Sequence, residues 1–189
     1  MHILILQGGA RKKGNTAHVL ALIEQQLLDR THTVETIYLH DKNLHGCMGC
    51  GACKKHTTTL GCVQEDEVIP ILEKMIAADG VIFSSPLYFW GVNAQLKTVI
   101  DRMFCLYTDL PHRPEHSSLL AGKKLALVMT GGGPQEENAE GALVAFQRMM
   151  PYMQTTHGGE LFVGRCRTPE RMDPAVHQQV EQFVQTLVG

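Results

Sequence analysis

Five short apolar runs, separated by longer stretches of helical period, constrain this chain more than any other feature. The runs fall at 3–6, 33–39, 81–83, 125–129 and 160–163. Helical spacing is legible over 16–29, 67–78, 92–107, 136–150 and 174–187, as in Leu20, Ile23 and Leu27, or Leu96, Val99, Ile100 and Met103. Strands that alternate with helices pair through crossovers, so the pattern predicts an α/β fold: a five-stranded parallel sheet with helices on both faces. Ligands of such sheets bind beyond the carboxyl ends of the strands. Function is therefore expected in the loops 8–16, 84–91 and 130–134.

Bulk composition narrows the classes. A length of 189 residues with 44% hydrophobic content predicts one domain, 1–189, with an ample core. A formal charge of −2 argues against nucleic acid and against an anionic membrane surface as partners, and favours a small ligand. There is no basic n-region with a cleavage site, and no apolar stretch reaches the roughly 18 residues of a membrane span, so a cytoplasmic location is the expectation.

The first loop reads Gly8-Gly9-Ala10-Arg11-Lys12-Lys13-Gly14-Asn15-Thr16. It is one residue away from a triphosphate-binding loop, with Asn15 where that motif has lysine. Asn15 cannot reach β and γ phosphates, and no acidic residue follows the third strand to hold magnesium. A monophosphate needs neither. The start of a helix offers unpaired amides and partial positive charge, to which Arg11, Lys12 and Lys13 add, and Asn15 and Thr16 can donate to phosphate oxygens or cap the helix. The alternative is an ordinary strand-to-helix turn with solvated basic residues. In the second loop, Pro86, Leu87, Tyr88, Phe89, Trp90 and Gly91 could flank a flat ring or form a core or oligomer contact. Gly131 and Gly132 in the third allow close backbone approach, or a plain glycine turn.

Taken in this order, the motifs resemble the flavodoxin-like NAD(P)H-dependent FMN reductase family, with its relatives the iron-sulfur flavoproteins. The resemblance rests on Gly8 to Thr16, on Ser85-Pro86-Leu87-Tyr88, on Ala94-Gln95-Leu96-Lys97 through Asp101-Arg102, and on the glycine-rich third loop. It covers most of residues 1 to 135. It implies a flavodoxin-like three-layer sandwich in which Arg11, Asn15, Thr16 and the backbone near Gly9 hold the FMN phosphate. Pro86 to Gly91 and Gly131-Gly132 would line the isoalloxazine. Gly9-Ala10 departs from the family's Ser-Pro, removing a hydroxyl donor and a rigid ring, so a looser grip on FMN is expected. The implied activity is transfer of electrons from NAD(P)H through FMN to a small acceptor such as a quinone, a nitro or azo compound, or free flavin. No side-chain acid or base is required, so no catalytic residue is assigned.

Cys47, Cys50 and Cys53 form two overlapping Cys-x2-Cys units, and Cys62 follows. With no export signal evident, a disulfide framework is not expected. The thiols could ligate a [4Fe-4S] cluster, hold zinc, or form a reduced, redox-responsive loop. An electron carrier with a cluster on this loop, and a non-catalytic redox sensor, are accordingly rival functions. Cys105 and Cys166 are expected to be core or surface thiols. Asp66 is a candidate cap for the second helix, Lys97 and Asp101 a helical ion pair, and Arg102 a residue available to a neighbouring subunit. The family resemblance implies a homodimer or homotetramer, with Trp90, Phe104 and the 109–122 loop, which carries His112 and His116, as contact candidates.

Overall fold

In the computed structural model the described residues are 1–55, 59–107 and 117–189; His112, His116 and most of the 109–122 loop lie outside them. Five strands, β1 (His2–Gln7), β2 (Thr33–Tyr38), β3 (Gly80–Pro86), β4 (Lys124–Thr130) and β5 (Thr156–Val163), form one sheet in the order β2-β1-β3-β4-β5. Every pairing is parallel. The expected five-stranded α/β fold is present, in the strand order of flavodoxin-like sheets.

The helices are α1 (Asn15–Asp29), α2 (Val68–Ala77), α3 (Ala94–Arg102), α4 (Glu140–Tyr152) and α5 (Val176–Val188). Parallel strands buried on both faces must be apolar throughout, which is why β1, β3 and β4 read as continuous runs. Side chains alternate between faces. Ile3, Ile5, Ile82, Ala126 and Val128 pack with α1 and α5, while Leu4, Leu6, Val81, Phe83, Leu125 and Leu127 pack with α2, α3 and α4.

Several boundaries differ from expectation for local reasons. The helix expected over 92–107 starts at Ala94 and becomes a 3-10 turn over Met103–Leu106. The fourth helix starts at Glu140 rather than 136, because Glu137 adopts φ 56° and the Glu140 carboxylate accepts the amides of Glu137 and Asn138 at 2.6 and 2.8 Å. Strand β5 begins four residues earlier than its apolar run. Its first half, Thr156 to Gly159, is polar and glycine-rich, and a side chain at Gly158 would lie 3.1 Å from the Leu125 carbonyl.

Register fixes where function can sit. Gln7 lies beside Ser84 and Pro86 beside Thr130, so β1, β3 and β4 end near one edge. The chain leaves β1 for β2 on one side and returns to β3 on the other. This reversal of direction is the switch point at which such sheets open a crevice.

Candidate functional site: a strand-end cleft and a cysteine pocket

The three loops meet in a cleft of ≈150 Å³ at that edge, bringing together Gly9, Arg11, Asn15 and Thr16, then Pro86, Leu87 and Tyr88, then Gly131 and Gly132. Helix α1 opens on Gly14 in extended geometry, without a side-chain cap and without an acidic residue in its first turn. Neither Asn15 nor Thr16 caps it, contrary to one expectation. The first-turn amides therefore remain available to an anion. The Asn15 Oδ1 atom is buried without a partner among the described residues. Turning that amide over places an N–H donor in the same position. The uncapped amides and this unsatisfied side chain fit a phosphate group. Thr16 Oγ1 and Thr130 Oγ1 are 2.7 Å apart, joining the first and third loops.

The three lysine-or-arginine positions of the loop do not act alike. Lys12 turns away, pairing with Asp41 at 2.5 Å and lying 4.9 Å from the Tyr38 ring centroid. Tyr38 in turn donates its hydroxyl to the Ala10 carbonyl. These contacts brace the Gly9-Ala10 stretch from outside, where a proline ring would have stiffened it from within. Arg11 folds over Gly14, with Nε 3.4 Å from the position a Cβ there would take, and lines the cleft.

Three contributors were not legible in the sequence. Asn93, 4% exposed, precedes α3 but does not cap it. Its amide instead donates to the Gly8 carbonyl at 2.5 Å, while its backbone N–H donates to Ser85 Oγ at 2.8 Å, locking the first loop to the second. After β5, Arg165 takes φ 56° and Cys166 donates its N–H to the Gly131 carbonyl at 2.9 Å. That turn brings Cys166 and Arg167 into the cleft wall. Cys166 is thus neither simple core nor free surface.

Phe89, Trp90 and Gly91 do not line this cleft. Tyr88 and Gly91 exchange backbone hydrogen bonds of 3.0 Å, and Phe89 and Trp90 between them have φ of 46° and 61°, the signature of a type I′ turn. Phe89 is 96% exposed and lies with Trp90 on an adjoining cleft shared with Leu87 and Gly132. Trp90 and Gly91 also border an apolar groove of ≈540 Å³ between α3 and α4, with Phe104 and Tyr152 on its wall.

The cysteine loop is built differently. Cys47, Cys50, Cys53 and Cys62 line one pocket with Phe104, Val63, Met48 and Arg102. Among the described residues no three Cys, His, Asp or Glu side chains converge to hold a metal ion. Four thiols around one space, unconverged, do not fit single-ion zinc. Four cysteines on one largely apolar pocket wall are the donor chemistry that a thiolate-bound cluster takes. Burial pushes the fifth thiol on the wall, Cys105, up to about 12, leaving it a neutral S–H.

The acidic run after the loop proves to be an anchor. Asp66 does accept the Val68 amide at 3.1 Å, but it also accepts the His45 amide at 2.9 Å and Arg102 at 2.8 and 3.2 Å. Glu67 accepts the Asn43 amide at 2.6 Å and pairs with Lys42. Arg102 is therefore not available to another subunit: its side chain and that of Asp66 are each 1% exposed. Burial pushes the Asp66 carboxyl up, and the Arg102 guanidinium with the two amides more than reverses it, so the group stays below its ordinary range. The expected Lys97–Asp101 pair is present at 2.6 Å.

Residues 1–166 match the family model of the NADPH-dependent FMN reductases. The chain belongs to this family. It is 39% identical over 102 residues to an iron-sulfur flavoprotein of Methanocaldococcus jannaschii, covering 54% of this chain and 51% of that one. It is 25% identical over 159 residues to a candidate NAD(P)H-dependent FMN-containing oxidoreductase of Bacillus subtilis, covering 84% and 82%. Among solved structures, an NAD(P)H:quinone oxidoreductase from Methanothermobacter marburgensis superposes with a TM-score of 0.69 at 17% identity, covering 100% of this chain and 98% of that one. That likeness establishes the flavodoxin-like fold alone. The chain spans only 51% and 48% of the length of two of the iron-sulfur flavoproteins it matches.

Proposed function

We propose that the protein is an FMN-dependent oxidoreductase that takes electrons from NAD(P)H and delivers them to a small acceptor such as a quinone, a nitro or azo compound, or free flavin. The observation that carries this reading is the single cleft where the three strand-end loops meet at an uncapped helix start. Bound FMN would supply the hydride-accepting chemistry. The α1 amides, Arg11, Asn15, Thr16 and Arg167 would hold its phosphate, with Gly9 leaving room between Thr16 and Pro86, each 3.6 Å from the site of a Cβ. Pro86, Leu87, Tyr88, Gly131 and Gly132 would orient the ring through backbone groups. Phe89, Trp90 and Gly91, outside the cleft, would face the acceptor or a second copy of this chain.

The double variant Arg11→Ala, Asn15→Ala should lose bound FMN while keeping its far-ultraviolet circular dichroism. Stoichiometric flavin in that variant would overturn the assignment. The homo-oligomer reading rests on Trp90, Phe104 and Tyr152, exposed at 62%, 39% and 41% along one apolar groove. A monomer by light scattering refutes it. Among the described residues no helix is long and apolar enough to cross a membrane.

A second reading, an electron carrier with a [4Fe-4S] cluster on Cys47, Cys50, Cys53 and Cys62, draws on the shared pocket and on relatives named iron-sulfur flavoproteins. Anaerobic purification should give brown protein with four irons per chain by this reading. Yellow protein free of iron, even after reconstitution, removes it.

A further inference from the structure

Among the described residues, Arg102 is the one charged side chain on the wall of the four-cysteine pocket. Burying a guanidinium is unfavourable unless its charge and all its N–H groups are answered. Two of its nitrogens are answered: Nη1 donates to Asp66 at 2.8 Å and to the His45 carbonyl at 2.9 Å, and Nη2 donates to Asp66 at 3.2 Å. Nε is buried and has no partner among the described residues. Arg102 and Cys62 line the same pocket wall.

The neighbouring cation does not compete for this role. Lys54 follows Cys53 in sequence, yet its ammonium donates to the Phe104 and Tyr107 carbonyls at the end of the 3-10 turn and lies 3.8 Å from the Phe104 ring centroid. Its donors are directed at backbone. Three of the five N–H groups of Arg102 grip the base of the loop through Asp66 and His45, and of the other two the buried Nε–H is left for the pocket.

We propose that Arg102, oriented by Asp66, is the fixed cation that receives a negatively charged thiolate-bound group in this pocket, its Nε–H donating to a cysteine sulfur. The proposal rests on the cluster reading above. Arg102 acts as a positioning residue: it ligates nothing, and it stabilises the negative charge that four thiolates bring to an apolar space. Charge-assisted donation to sulfur retains the bound group and favours its more negative, reduced form.

The test uses the full chain, reconstituted anaerobically with ferrous iron and sulfide. The variants are Arg102→Lys and the charge-neutral pair Arg102→Met with Asp66→Asn, which leaves no lone buried charge. The measurements are iron per chain, the rate of iron loss to a chelator, and the midpoint potential by spectroelectrochemistry, with FMN content and thermal unfolding as controls on the fold. The neutral pair should lose iron on the order of 10- to 100-fold faster than wild type, with its midpoint moved to lower potential and its FMN retained. The lysine variant should fall between, because it restores charge without the Nε donor. If wild type holds a cluster and both variants match its iron retention and midpoint, the Arg102 proposal is overturned and the cluster reading stands. If wild type takes up no iron, both fall, and the FMN reading is untouched. Should the neutral pair fail to fold, a wild-type midpoint in the lysine variant is the overturning result.

Discussion

The cleft and the cysteine pocket lie in one chain and are held in shape by different means. The cleft is set chiefly by backbone, with strand ends in fixed register, a helix start and glycines close to neighbours, and is tied across by Asn93 to Gly8 and Thr16 to Thr130. A Cβ on Gly8 would sit 2.4 Å from Asn93 Oδ1 and 2.8 Å from the Ser84 carbonyl. Among the described residues, no strand residue lines the cysteine pocket. Gly46, Gly49 and Gly51 have nothing within 4 Å of where a Cβ would stand, and the loop is tied down by a few long-range side chains. A site made by the sheet is set once the fold forms. A site made by side-chain ties depends on each tie.

The largest expected effect breaks the second region. Asp66→Asn removes the carboxylate that faces a buried guanidinium, and loss of one partner of a buried pair costs about 3–5 kcal/mol. Urea unfolding should show that loss, while flavin content per folded chain stays near wild type. The same carboxylate sets a pH dependence. Its folded pKa lies below the unfolded value, so as pH falls through about 4 the unfolded chain takes up the proton first and stability declines. Above that range the contribution is complete. The Asn variant should therefore have a shallower acid limb than wild type, and an unchanged limb would show that Asp66 is not the group responsible.

A medium effect separates the regions by matched glycine substitutions. Gly8→Ala drives a methyl into Asn93 and the β3 carbonyl and should cost about 1–3 kcal/mol, because the contact includes backbone that cannot swing aside. It should also weaken flavin retention, since Asn93 loses its hold on the first loop. Gly46→Ala meets nothing and should stay within about 0.5 kcal/mol of wild type. Equal losses at the two positions would erase the proposed distinction.

What the sequence could reveal follows the same division. Strands buried on both faces must be apolar, so β1, β3 and β4 were readable, and with them the three loops at their ends. The tail of the site was not. Arg167 reaches the cleft only because Arg165 turns the chain at positive φ, and no local pattern marks that turn. Arg102 was misjudged because Lys97 and Asp101, one turn apart on an exposed face, made the helix end read as solvated. The next residue points about 100° further round, onto the buried face, and its partner Asp66 lies 36 residues upstream. Asn93 was not legible for a related reason: it stands at a cap position, but its side-chain amide reaches Gly8, 85 residues away. Periodicity reports which face is buried. It does not report which distant group a polar side chain will meet.

The smallest expected effect sharpens the contrast inside the cleft's own rim. Phe89 and Trp90 occupy left-handed backbone, a conformation costing a non-glycine residue roughly 1–2 kcal/mol, and Phe89 is 96% exposed, so burial does not offset it. Their rings meet edge to face at 6.2 Å, a contact worth about 1 kcal/mol. Phe89→Asn with Trp90→Gly installs the residue pair that a type I′ turn favours. Relief of two strained positions outweighs one lost ring contact, so thermal stability should rise by about 1–2 kcal/mol. Stored strain that buys nothing in the fold is expected where function uses it. The same variant should accordingly oxidise NAD(P)H more slowly with a quinone as acceptor while retaining FMN; a variant both more stable and equally active would assign the aromatic turn no part in acceptor binding.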